Sequence, residues 1–553
     1  MSTEEGYWFS PEERHVLPGA PFKLSHPLRR SVAYAGVGIA TGIASTFGNS
    51  LISVNLVNLS GSLGLDLTEA NWLLAIYYAM IATANLTLVK ARVQFGIPNA
   101  TFSLLAAYAL VGLLQIPFPG FLTAAMTRAI CGLSAGMLIA LSLFYLVQAF
   151  PGKLAALGPV IGLALPQIGT ALARLVPVDV LAANGWYGLH LIEPAVVLGV
   201  IVLIALVPLP PSEVGKAFEK LDFVTVALAV PAMLLICGVL AEGRLRWWTD
   251  APVLGWMLAA AIPMLALAAL LEAHRSRPLF RLGGIAGAEM LRIASVTLLV
   301  RLALAEQTYG SVGLLTFGGL DNDQLHSLFA LVALAMGLGA IAAALAAVAA
   351  GTPAALSRLV PWLALVAALM ISAGALIDSS ATSVTRAPQL FLSQTLIGFG
   401  TTLFVGPGLL IGFMRVVSKG PEHFVSWIVL FSVTQNVGGL AGSALLGSYQ
   451  FIQARSHAVA LSRDLVASNP LVVQRLQSGA DAVAGTVGDP TLRAAEGAAI
   501  LGQQMTAQVN VLAFNDVFRL LAIMALLTAA YVFYLIVRNE RRNRLLPEVR
   551  AQT

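Results

Sequence analysis

The chain has 553 residues, 58% of them hydrophobic and only 11% charged, with a mean hydropathy of +0.83 and a formal net charge of +5. A soluble domain carries roughly 25% charge, so water is not this chain's main solvent. Its two cysteines, Cys131 and Cys237, sit in apolar runs and give neither a disulfide framework nor a metal cluster, and its basic residues are too scattered for a nucleic-acid surface.

In chain order, the first 30 residues are polar and include Glu4, Glu5, Glu12 and Glu13, which reads as a cytoplasmic tail and not as a cleaved signal. Apolar runs follow at about 33–56, 71–90, 99–117, 121–147, 154–176, 187–207, 223–241, 253–271, 291–316, 325–349, 360–377, 388–412, 423–447 and 513–537. Each is near the ~20 residues that a helix needs to cross a bilayer, and lipid offers no partner for free backbone groups, so each run is expected to be a helix. Unbroken runs such as 325–349 exclude the alternating pattern of a membrane β-barrel. The chain therefore reads as an all-α polytopic membrane protein.

An even span count puts both termini on one side. That side collects Arg14, Lys23, Arg29, Arg30, Lys90, Arg92, Lys153, Lys216, Lys220, Arg275, Arg277, Arg358, Arg415, Arg538 and Arg541, whereas short loops opposite offer Arg244, Arg246 and Arg386 among several aspartates. The positive-inside rule makes both termini cytoplasmic. Residues 208–222 read as a cytoplasmic linker after six spans. Residues 448–512 form the one large segment on the far side, patterned as surface helices.

Several stretches, in order, resemble the fourteen-span drug:proton antiporters of the major facilitator superfamily, the EmrB/QacA type. NWLLAIYYAM carries Trp72 and Tyr77, RAICGLSAGMLIALS carries Arg128, Cys131, Gly132 and Gly136, and TQNVGGLAGS carries a Gly-Gly-x-x-Gly stretch. LDFVTVALAV, AEGRLRWWTD and EAHRSRPLFRL look like the family's extra helix pair and re-entry into its second half. The resemblance implies a major facilitator fold in a 6+2+6 arrangement: a first bundle at 31–207, two extra helices at 223–272 and a second bundle at 273–537. It implies a bacterial inner-membrane exporter of amphipathic drugs or aromatic compounds that uses protons. With the 448–512 segment it implies docking to a HlyD-like periplasmic adaptor and a TolC-like outer-membrane channel. The chain departs from the family in places. VKARVQFGIPN has Val93 at the acidic place of the second-span loop, and TFGNSLISVNLVNLS has Gly48 or Asn49 where relatives carry a carboxylate. A narrow-range importer or exporter of the same fold, and a non-transporting scaffold or sensor, remain as alternatives.

An ionisable residue in a span costs roughly 2.5–3.5 kcal/mol, so each normally faces protein, water or a partner. The resemblance makes Arg128 a substrate or proton-coupling residue. His190 and Glu193 are three apart on one face, with Pro194 loosening the helix, and are the preferred proton-coupling pair. Arg301 and Glu306 are five apart and cannot pair, so Glu306 is a second proton site and Arg301, with Gln307, a cavity residue. Asn55 and Asn58 are expected to project together into the cavity, with Tyr77, Gln394 and Gln435 as further lining. Asn515 or Asp516 is expected to cap the last span. No cofactor or metal is expected, and no nucleotide loop or catalytic spacing makes the chain an enzyme.

Overall fold

Local chemistry sets where the helices begin. Asp66 Oδ1 accepts from the Glu69 backbone N–H at 2.7 Å and Glu69 Oε2 accepts from that of Asp66 at 3.1 Å, a reciprocal cap on the second span. Gly64 ends the preceding helix in the left-handed region, φ 65°, which a side chain would strain. Pro98 and Pro252 sit in first turns, where their missing N–H costs nothing.

The computed structural model describes residues 19–550 apart from 23, 25, 276, 282–290, 292, 293, 296, 299, 300, 302–305, 418, 419, 421, 422 and 467. The helices are α1 (Leu28–Val54), α2 (Leu56–Leu63), α3 (Leu67–Phe95), α4 (Ile97–Leu114), α5 (Phe121–Ala149), α6 (Leu157–Ala173), α7 (Val178–Leu206), α8 (Lys220–Glu242) and α9 (Pro252–Ala273). They continue as α10 (Ser311–Phe317), α11 (His326–Ala350), α12 (Pro353–Asp378), α13 (Phe391–Val417), α14 (Phe424–Asp464), α15 (Pro470–Ala482) and α16 (Pro490–Arg550). Thirteen helices among the described residues are long and apolar enough to cross a membrane. The remaining expected span, 291–316, is interrupted by residues outside the description (292, 293, 296, 299, 300 and 302–305), and its end appears as a π turn, Glu306–Gly310, that runs into α10.

Helices α1 and α3–α7 pack on one another, as do α11–α14 and α16, and α6 and α3 join the two groups by packing on α11, α13 and α14. Small residues let backbones approach. A Cβ at Gly132 would lie 2.7 Å from the Tyr77 carbonyl oxygen, and one at Gly406 would lie 2.5 Å from that of Val160 across the two halves. Large apolar side chains such as Trp256 and Leu206 point outward, as lipid-facing surface requires.

Helices α8 and α9 attach to the first half through charge. Lys90 Nζ lies 2.7 Å from Asp222 Oδ2, and Arg275 donates to Asp222 at 2.7 Å, Glu272 at 2.7 Å and Glu219 at 3.0 Å. Burial works against the Arg275 charge, but its hydrogen bonds to Asp222, Glu272 and Glu219 outweigh it and hold the group above its ordinary value. Lys90→Ala is expected to lower stability by about 1–2 kcal/mol, read as a lower melting temperature, because Arg275 still holds Asp222. A melting temperature equal to wild type would show that the pair does not anchor α8.

One local expectation is refined and another corrected. The 448–512 segment is exposed helix as expected, but two of its helices are not independent of the spans: α14 runs unbroken from its span to Asp464, α16 begins at Pro490 and continues into the last span, and α15 packs on α16. Asp516 accordingly lies inside a 61-residue helix and caps nothing; it pairs with His457 at 2.7 Å and Arg519 at 3.1 Å. Asn515 Nδ2 donates to the Ala381 carbonyl at 2.9 Å.

Candidate functional site

Two arrangements in the membrane interior carry chemistry. The first lies within the first half, where α1, α4, α5 and α7 meet. Arg128 of α5, 2% exposed, forms an ion pair with Glu193 of α7, 3% exposed. The Tyr108 hydroxyl of α4 donates to the other Glu193 oxygen and lies 3.0 Å from Cys131 Sγ. Two opposite charges thus share a dry site with a phenol completing the carboxylate's partners, which is the condition under which a buried pair is tolerated. On α1, Gly48 makes the room: a Cβ there would meet Tyr108 Oη at 2.8 Å and Glu193 Oε1 at 3.0 Å. The Glu193 carboxylate thus reaches α1 from α7 at Gly48.

His190 is buried one turn before Glu193, but no hydrogen bond joins them; Glu193 is committed to Arg128 and Tyr108. Pro194 does not break α7, and its ring packs against Gly112 of α4.

The second arrangement is a cavity of about 320 Å³ between the halves. Thr46 of α1, Asn85 and Arg92 of α3, and Gln167 and Thr170 of α6 line it from one side. Arg301, and Trp427, Gln435 and Asn436 of α14, line it from the other. Arg301 is fixed by donating Nε to the Gln435 carbonyl at 2.9 Å and Nη1 to Gln167 Oε1 at 3.3 Å. A smaller void of about 40 Å³, lined by Gln307 and Arg174, continues from Gln167 and Arg301 away from the termini.

Beyond that void, polar contacts close the end of the molecule opposite the termini. Asn322 Nδ2 donates to the Arg174 carbonyl at 3.1 Å, the Val178 N–H donates to Asp323 Oδ1 at 3.0 Å, and Trp248 Nε1 donates to Ser448 Oγ at 2.7 Å.

Among the residues singled out from sequence, Arg301 and Gln435 line the main cavity and Gln307 the smaller void. Gln307 donates to the Gln394 carbonyl at 3.1 Å, and Gln394 Nε2 donates to Asp378 Oδ2 at 2.6 Å, so Gln394 sits behind the lining. Tyr77 is buried against Tyr78, off the cavity wall. Asn55 and Asn58 do not project together: the helix is interrupted at Asn55 (φ −108°, ψ 20°), whose amide donates to the Leu51 carbonyl, while Asn58 is exposed. The Glu306 side chain lies outside the described residues. Tyr108, Gln167 and Arg92 were not singled out. Arg92 was grouped with loop cations because the second span was expected to end at residue 90, whereas α3 continues to Phe95 and carries Arg92 inside.

No family model matches the chain, and no curated protein matches it. Solved structures do. A bacterial homologue of the human drug peptide transporters PepT1 and PepT2 superposes with a TM-score of 0.54 at 14% identity, covering 93% of this chain and 99% of that one. A proton-dependent oligopeptide transporter gives 0.53 at 14% identity over 92% and 100% of the two chains, and tetrameric PepTSo2 gives 0.52 at 14% over 95% and 100%. The chain has the major facilitator fold. At this identity the likeness is one of fold, and a major facilitator fold places a cavity between its halves; here Arg301, Gln167 and Gln435 line one.

Proposed function

We propose that the protein is a secondary active transporter that exports amphipathic drugs or aromatic compounds across the bacterial inner membrane in exchange for protons. The observation that carries this reading is the cavity built from both halves, lined by apolar surface with a few convergent polar groups and closed at one end by polar contacts between the halves. Such a cavity opens to either side if the halves rock. Beside it, separated by α1, α3 and α5, the Arg128–Glu193–Tyr108 cluster is the proton-coupling element. Protonation of Glu193 removes the charge that holds Arg128, so proton occupancy biases how α5 and α7 pack.

Export into proteoliposomes driven by a pH gradient is the test, with the gradient-free rate as reference. A protein that moves no amphipathic compound under any gradient refutes the transporter reading, and import with the proton gradient reverses the direction.

The stalk formed by the far ends of α14 and α16 with α15 is the docking element for a HlyD-like adaptor, and through it a TolC-like channel. Its support is the continuity of both helices with spans, which makes the stalk a rigid extension of moving elements. An adaptor is expected to co-purify with the full chain and not with one shortened between 453 and 505; equal recovery of both counts against docking. Both termini are cytoplasmic in this reading. A membrane-impermeant thiol reagent should then label Ser478→Cys, on exposed α15, in permeabilised-envelope cells and leave Lys216→Cys unlabelled, and the opposite pattern inverts the topology.

A further inference from the structure

The central cavity holds two guanidinium groups, and no carboxylate lines it among the described residues. One of the two is engaged, since Arg301 donates to Gln435 and Gln167. The other is not. Arg92 is 1% exposed, lines the cavity, and has neither Nε nor Nη1 in any hydrogen bond. Its organised neighbour is the Phe144 ring, whose centroid is 5.2 Å from Cζ.

A guanidinium offers five in-plane N–H donors, no acceptor, and a charge that it does not lose. Phe144 attracts that charge over its ring, yet a ring face accepts none of the in-plane hydrogens. Leaving such donors dry and unpaired is costly, so the site is built for a partner that arrives from elsewhere. Acceptors that match an arginine edge in pairs are carboxylate, sulfonate and phosphate oxygens. The surroundings narrow the choice: Phe144, Trp427 and Phe431, with Leu409, Leu410 and Ile428, also line the space. Arg128 supplies no positive field to the ligand, because Glu193 neutralises it.

We propose that this cavity binds amphipathic organic anions, with the carboxylate or sulfonate of the ligand on Arg92 and its aromatic body against Phe144, Trp427 and Phe431. Arg301, held in place by Gln435 and Gln167, presents a second positive edge towards the closed end and repels cations from the deep part of the cavity. The assignment names the substrate class of the transporter proposed above and rests on that reading.

The test is calorimetric titration of the full chain in nanodiscs of zwitterionic lipid, where no anionic headgroup competes, with empty nanodiscs as reference. The probes are 8-anilinonaphthalene-1-sulfonate and N-phenyl-1-naphthylamine, which share their rings and differ by the sulfonate. The sulfonate is expected to bind at least about tenfold more tightly in the wild type. Arg92→Gln should abolish that preference, and Arg92→Lys should keep part of it. Equal affinities for the two probes in the wild type, no saturable binding of the sulfonate, or full sulfonate affinity in Arg92→Gln would each overturn the proposal. The wild-type comparison and the lysine variant decide the matter even if the glutamine variant does not fold. Selective anion binding by a protein that transports nothing in proteoliposomes would refute the transporter reading and leave this site standing. Transport without anion preference would do the reverse.

Discussion

Replacing Arg128 by Gln is expected to lower stability by about 3–5 kcal/mol, and Glu193→Gln by a similar amount, whereas the double replacement recovers most of the loss. The reason is the site's dryness. Both side chains are almost wholly buried, so removing one charge leaves the other in a low-dielectric interior without an ion partner. Two glutamines leave no charge to strand and can hydrogen-bond each other and Tyr108. Melting in detergent reads the effect directly through a thiol-reactive dye, because Cys131 and Cys237 are both buried in the native protein and react only on unfolding. Additive losses in the double variant, or single variants that melt with the wild type, would mean that the two groups do not form a pair. The folded double variant then tests function apart from stability. With no titratable carboxylate it should exchange substrate across the membrane without a gradient but fail to concentrate it against one. Gradient-driven transport at the wild-type rate would place the coupling proton elsewhere.

The fold was legible because a span is a crude object: about twenty apolar residues in a row have one stable solution in lipid. The charge cluster of Lys90, Asp222 and Arg275 was visible only as loop cations and acids, since nothing in one dimension says that the start of α8 and the end of α9 close on α3. The candidate site shows the same divide. Arg128 and Glu193 were each conspicuous as rare charges in apolar runs, and that signal marked them without their pairing, because they are 65 residues apart and belong to different helices. Glu193 was read instead with His190, its neighbour along one helix face, for neighbours on a face are what a sequence displays. Asn55 and Asn58 failed for a related reason: a face exists only while the helix is continuous, and Asn55 interrupts it. Arg92 was hidden by a boundary error of a single turn, which converts a buried helix cation into a loop residue.

The last expected result concerns the end of the molecule opposite the termini. If the halves rock, the contacts that close that end must break in every cycle. Val178, at the start of α7, donates its N–H to Asp323 Oδ1 of the segment before α11, and Asn322 next to it holds the Arg174 carbonyl. These join the first half to the second at a point where neither residue lines the cavity, so substitution there leaves the binding surface intact. Val178→Cys with Asp323→Cys, treated with a short bis-maleimide, is therefore expected to reduce transport in proteoliposomes by at least about tenfold, the loss that a locked gate imposes on a cycle requiring it to open. Substrate binding from the terminal side should survive, because the cross-link holds the molecule in the arrangement already present. The native cysteines are buried and do not compete for the reagent. Each single variant treated alike should transport normally, which separates locking from simple modification. A cross-linked protein that transports at the uncross-linked rate would show that this end does not open during the cycle, and the rocking of one half against the other would have to be abandoned for a passage elsewhere in the bundle.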